Sequence, residues 1–157
     1  MNQILTEQEI RFLQELNNSQ IPFLIVGMMA AALQDAPFAT QDVDLWFENT
    51  DDPRLVEVAQ KCGGVFIQAN MTFQMPPLLK GEAFSNLDIV YGIQGLSSFD
   101  EEYKQAIEMD LAGVSIKVLP LARVIASKEA TGRAKDKATI PALKTILLAK
   151  KDVEKKS

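Results

Sequence analysis

Asp42 and Asp44 stand two residues apart in a run, 41–47, that alternates polar and apolar side chains. In a strand this spacing puts both carboxylates on one face, with Trp46 beside them and Val43, Leu45 and Phe47 on the other. Like charges held that close resist ionising together, and a divalent cation bridging them removes the penalty. Asp88, between Leu87 and Ile89, has the same inside–outside logic on a second apolar segment. Three carboxylates on two adjacent strands are expected to hold two magnesium or manganese ions, one orienting a polyphosphate and one activating a hydroxyl. A solvated outer strand face would show the same alternation, so the surrounding elements have to decide.

Upstream, the apolar run Phe23-Leu24-Ile25-Val26 ends at Gly27, and an Ala-rich helix follows over 28–33. A glycine at such a turn lets backbone approach a phosphate, and the free N–H groups beyond it favour an anion. Thr6 and Glu9 form a capping box, with Leu5 and Ile10 as its hydrophobic staple, before a helix burying Ile10, Leu13 and Leu16. Pro53 opens a helix that ends near Cys62-Gly63-Gly64, where Cys62 reads as a packed thiol. Residues 65–67 and 71–75 are expected to pair as a hairpin, 86–91 to form a strand and 101–108 a helix. Residues 111–118 read as a tight hairpin or a bulged strand. Two helices close the chain, one from Leu121 to about Gly132. The other carries Ile140, Leu143, Ile146 and Leu147 on one stripe, with Pro141 tolerable only in its first turn. Met28, Met29 and Met71 read as core filler.

Composition narrows the chemistry further. The chain has 157 residues, 47% hydrophobic and 24% charged, which favours one domain spanning 1–157, with its core at about 20–148 and a frayed tail at 150–157. No apolar run is long enough to cross a bilayer, and the polar N-terminus does not read as a signal peptide. With no histidine, catalytic dyads and triads built on imidazole are excluded, and acid–base or metal chemistry falls to oxygen ligands. A lone cysteine suits a reducing, cytoplasmic setting. The net charge of −5 conceals an asymmetry: 6 basic against 17 acidic residues over 1–120, and 10 against 4 over 121–157. An acidic body with a basic end is a poor general nucleic-acid binder, though it suits a metal face beside a region that tolerates phosphate.

The order apolar strand, Gly27, then Asp42-Val43-Asp44-Leu45, then Leu87-Asp88-Ile89, resembles the signature of the DNA polymerase β-like nucleotidyltransferase superfamily. The segment from Ala126 to Asp136 is similar to a C-terminal block of small bacterial members related to abortive-infection and toxin–antitoxin nucleotidyltransferases. The resemblance covers roughly 20–148. It implies an α+β fold, a central mixed sheet flanked by helices with two helices at the C-terminus. It further implies that Asp42, Asp44 and Asp88 are catalytic and bind metal, and that Gly27, Met28 and Lys128 line the nucleotide. The activity implied is transfer of a nucleoside monophosphate from a nucleoside triphosphate to a hydroxyl of RNA, protein or a small molecule, releasing pyrophosphate. Two positions depart from the pattern. Met28 stands where the family has Gly or Ser, and Phe38-Ala39 where a basic residue is common. These departures favour an alternative, a catalytically degenerate subunit that binds nucleotide or a cognate partner protein. Lys128, Arg133 and Lys135 otherwise read as a solvated helix face, and Asp136 as a cap of the last helix.

Overall fold

The computed structural model describes residues 5–38 and 40–156. Thr6 caps helix α1 (Glu7–Asn18), accepting from the Glu9 backbone N–H while the Glu9 carboxylate accepts from that of Thr6. Phe12, Leu13 and Leu16 form its buried face, whereas Ile10 is half-buried. Glu9 is itself fully enclosed, because its carboxylate also accepts from the backbone N–H of Asn86, 2.9 Å away. That bond ties the first helix to the start of the strand carrying Asp88.

Four buried residues make β1 (Phe23–Val26), and α2 (Gly27–Leu33) follows without a loop. The chain then returns as β2 (Val43–Phe47), antiparallel to β1, with Val26 opposite Asp44. After α3 (Arg54–Lys61) comes β3 (Val65–Ile67), whose partner is β4 (Leu78–Lys80). Residues 71–75 are therefore not its hairpin partner. They form a turn closed by reciprocal 2.9 Å backbone bonds between Asn70 and Met75, with Gln74 at φ 52°. Pro76 and Pro77 lack N–H donors, so a ladder can begin only beyond them. Met71, 89% exposed, is not core filler; Met29 is buried and Met28 half-buried.

A single 3₁₀ turn (Glu82–Phe84) leads into β5 (Leu87–Val90), parallel to β2, with Asp88 opposite Asp44. Next, α4 (Phe99–Gln105) stops short of the helix expected to reach 108, since Ala106 turns extended and β6 (Ile107–Leu111) begins. Ala112 and Gly113, both at positive φ, make a two-residue turn to β7 (Val114–Val118). The five-stranded sheet runs β5-β2-β1-β7-β6, with β1 parallel to β7 and antiparallel to β2.

Helix α5 (Leu121–Thr131) ends on Gly132 in the left-handed conformation. Its N-terminal end is held from two sides. Buried Gln34 donates to the Leu119 carbonyl and accepts from the Leu121 N–H, and Arg123 makes two bonds of 2.9 and 2.7 Å to buried Glu102 of α4. Helix α6 (Ala134–Lys156) starts earlier than Pro141 suggests, placing that proline inside the helix, and it stays helical through the segment expected to fray. The early start has a cause described below: a carboxylate in the first turn gathers three donors. No helix among the described residues is long and apolar enough to cross a membrane. Cys62 is packed, and burial pushes its thiol pKa up.

Candidate active site

Gly27 adopts φ +68°, and a Cβ added there would lie 2.7 Å from Asp44 Oδ2. The strand-to-helix turn and the carboxylate are thus in direct apposition, and only a glycine permits it. Gly27→Ala should cost about 1–2 kcal/mol from the backbone alone and push Asp44 aside. Thermal unfolding of that variant, alongside its nucleotide binding, checks both effects.

Asp44 is half-buried, between exposed Asp42 just before β2 and exposed Asp88 on the neighbouring edge strand. Burial raises its carboxyl above the ordinary value, and the charges of Asp88 and then Asp42 raise it further; Lys135 and Lys128 oppose the shift. A site with this electrostatic strain accepts a cation readily. Among the described residues, however, no three His, Cys, Asp or Glu side chains stand close enough together to hold a metal. Asp42 lies outside the strand that would orient it, and Asp88 lies on the outermost strand. The donor set still fits magnesium or manganese, which bind through one or two carboxylates and complete their shell with water and phosphate.

Asp42 and Asp44 open onto a cleft of about 740 Å³. Gly27, Met28, Asp42 and Asp44 form one wall; Asp88 is not part of the lining. The lining also takes in the end of α5 and the start of α6, with Lys128, Arg133, Lys135 and Asp136. The loop from Tyr91 to Gln94 lines it too, anchored where Gly95 meets α5. A Cβ at Gly95 would lie 2.6 Å from the Ala130 Cβ and 2.8 Å from the Ala126 carbonyl oxygen. Trp46, expected beside the aspartates, is buried against Phe99 in an edge-to-face contact, so it offers no ring to the cleft.

No family model and no curated protein matches the sequence. Solved structures do match. The crystal structure of ANT(2'')-Ia in complex with adenylyl-2''-tobramycin aligns with a TM-score of 0.57 at 17% identity, covering 90% of this chain and 88% of that one. The solution structure of the same antibiotic-resistance factor gives 0.50 at 14% identity, covering 96% of both chains. An antigenic nucleotidyltransferase-like protein from Paracoccidioides brasiliensis gives 0.53 at 14%, covering 92% and 78%. The fold is the nucleotidyltransferase fold. Identities this low carry the architecture and leave the reaction to the residues.

Within the nucleotidyltransferase fold, Gly27, Met28, Asp42, Asp44 and Lys128 come together in one cleft, with Asp88 adjacent through the β2–β5 register. Lys128 is only 9% exposed, and its Nζ lies 3.1 Å from Asp136 Oδ1. Asp136, 1% exposed, is more than a cap. It also accepts from Thr131 Oγ1 and Arg133 Nε, both at 2.7 Å, which clamps the end of α5 onto the start of α6. Lys135, expected on a solvated helix face, lines the cleft, while the ion-pair clamp on Asp136 and the loop over 91–95 were not foreseen. The paired glycines Gly92 and Gly95 were the available signal for the loop. The clamp had no comparable signal, because its partners meet only when two helices dock.

Proposed function

We propose that the chain transfers a nucleoside monophosphate from a nucleoside triphosphate to an acceptor hydroxyl. The observation carrying this reading is the placement of Asp44. It is half-buried, raised in pKa by that burial and then by two neighbouring carboxylates, and set against a positive-φ glycine inside a cleft large enough for a nucleotide. The fold shared with nucleotidyltransferases supports the reaction class.

The acceptor oxygen attacks the α-phosphorus. The bond from that phosphorus to the bridging oxygen of the β-phosphate breaks, and pyrophosphate leaves. Asp44, with Asp42 and Asp88 beside it, would hold magnesium or manganese, which would supply charge neutralisation of the polyphosphate and a more nucleophilic acceptor oxygen. Gly27 and the N–H groups after it receive phosphate oxygens, and Lys128 lines the same cleft. Asp88, exposed on the outer strand opposite Asp44, would take the proton of the acceptor hydroxyl. RNA, a protein side chain and a small molecule remain the candidate acceptor classes. The adenylyl-2''-tobramycin bound by ANT(2'')-Ia makes an aminoglycoside a natural first small molecule to try. The test is pyrophosphate release from each nucleoside triphosphate with magnesium and a panel of these acceptors. Release that depends on one acceptor establishes the reading, and none with any acceptor refutes it.

One observation favours a second reading, a degenerate subunit that binds nucleotide or a cognate partner of the toxin–antitoxin kind. Met28 lines the cleft directly after Gly27, where its thioether crowds any phosphate approaching the turn. Under that reading Met28→Ser brings a large gain in nucleotide affinity by calorimetry. Under the catalytic reading the affinity changes little.

A further inference from the structure

The basic wall of the cleft carries three cations, and two of them are already engaged. Lys128 Nζ and Arg133 Nε both bond to Asp136, at 3.1 and 2.7 Å. Releasing Lys128 toward a ligand would leave a buried carboxylate short of a partner, an unfavourable exchange. Lys135 differs. It lines the same cleft, is exposed, and its side chain makes no hydrogen bond or ion pair among the described residues. It is the second residue of the 23-residue α6, so an incoming anion there also meets the positive end of that helix. Its flexible four-carbon stem can follow a phosphate without disturbing any contact of the fold.

We propose that Lys135, rather than Lys128, is the cation that receives the phosphate tail of the nucleotide, while Lys128 and Arg133 serve Asp136 and hold α5 to α6. The division of labour rests on the nucleotide-binding reading of the cleft. It follows from which ammonium is free to move and which is committed. Electrostatics agree with the geometry. Of the two lysines that counter the upward shift of the Asp44 carboxyl, Lys135 has the larger influence. The arrangement gives the cleft a polarity, with carboxylates on the β2 side and a mobile cation on the α6 side. A triphosphate lying between them would have its α-phosphate toward Asp44 and its far end toward Lys135.

The experiment is calorimetric titration of a magnesium nucleoside triphosphate, the matching monophosphate and inorganic tripolyphosphate into native protein, Lys135→Ala, Lys135→Arg and Lys128→Gln. Loss of one charge-assisted contact predicts triphosphate binding weaker by about 10- to 100-fold in Lys135→Ala. Monophosphate binding should be unchanged, and Lys135→Arg should restore much of the loss. Lys128→Gln is expected to lower the melting temperature more than the affinity. Triphosphate binding that survives Lys135→Ala intact, or that falls only in Lys128→Gln, overturns the assignment and leaves the nucleotide-binding reading standing. Native protein that binds no nucleoside triphosphate overturns both. If tripolyphosphate alone fails to bind, the nucleoside triphosphate series decides.

Discussion

Asp44→Asn should lose about 10²–10³-fold or more in nucleotidyl transfer and yet melt a few degrees higher than the native protein at neutral pH. Both effects come from the same carboxylate. Burial, Asp88 and Asp42 raise its pKa in the folded chain above the ordinary 3.8. A carboxyl with a raised folded pKa binds its proton more tightly when folded than when unfolded. Stability therefore falls as pH rises through the interval between the two values, and the cost is fully present above it. The asparagine carries no such cost at any pH. Melting curves across pH should show the variant ahead at neutrality and the two proteins converging below the ordinary value, where Asp44 is protonated in both states. A variant less stable than native at neutral pH would mean that Asp44 is not electrostatically strained. A strained, destabilising charge retained in a cleft is the pattern expected of a functional residue.

Asp136→Ala is expected to act in the opposite sense, costing about 3–5 kcal/mol of stability. The carboxylate is 1% exposed and accepts from Arg133, Thr131 and Lys128. Its removal leaves the Lys128 ammonium, 9% exposed, without its anion. Such a loss is a large share of the 5–15 kcal/mol that holds a typical domain folded. The hydrogen bond from Arg133, then those from Thr131 and Lys128, hold the Asp136 carboxyl well below the ordinary carboxylate range. A lowered folded pKa contributes stability that is present above the unfolded value of about 4 and lost as pH falls toward the folded one. The gap between native and Asp136→Ala should accordingly shrink on acidification. Chemical denaturation at neutral and acid pH measures it, and a gap that does not narrow would show the clamp to be uncharged packing.

What could be read from the sequence was local. The capping box of α1, the turn at Gly27 and the strand carrying Asp44 each lie within a few residues and are where they were expected, although β2 begins only after Asp42. Asp88 was legible for the same reason, as a polar residue on an apolar strand. Errors arose where local signals were weak or misleading. Ile107-Glu108-Met109-Asp110-Leu111 has strand alternation, but its acidic residues are poor strand formers. It becomes β6 because β7 offers an edge to pair with. Residues 71–75 look apolar enough for a strand, yet two prolines move the pairing on to Leu78–Lys80. Long-range polar contacts were out of reach altogether. Nothing near Glu9 announces its bond to Asn86, and nothing near Lys128 shows that its charge is committed to Asp136. The elements carrying the candidate residues were therefore better foreseen than the contacts that hold them.

The most direct test of the central claim is calorimetric titration of each nucleoside triphosphate, with and without magnesium, into native protein and into Asp42→Ala/Asp44→Ala. The account predicts binding that requires the metal in the native protein and disappears in the double variant. Binding that persists in the variant, or that is absent from the native protein, would contradict it.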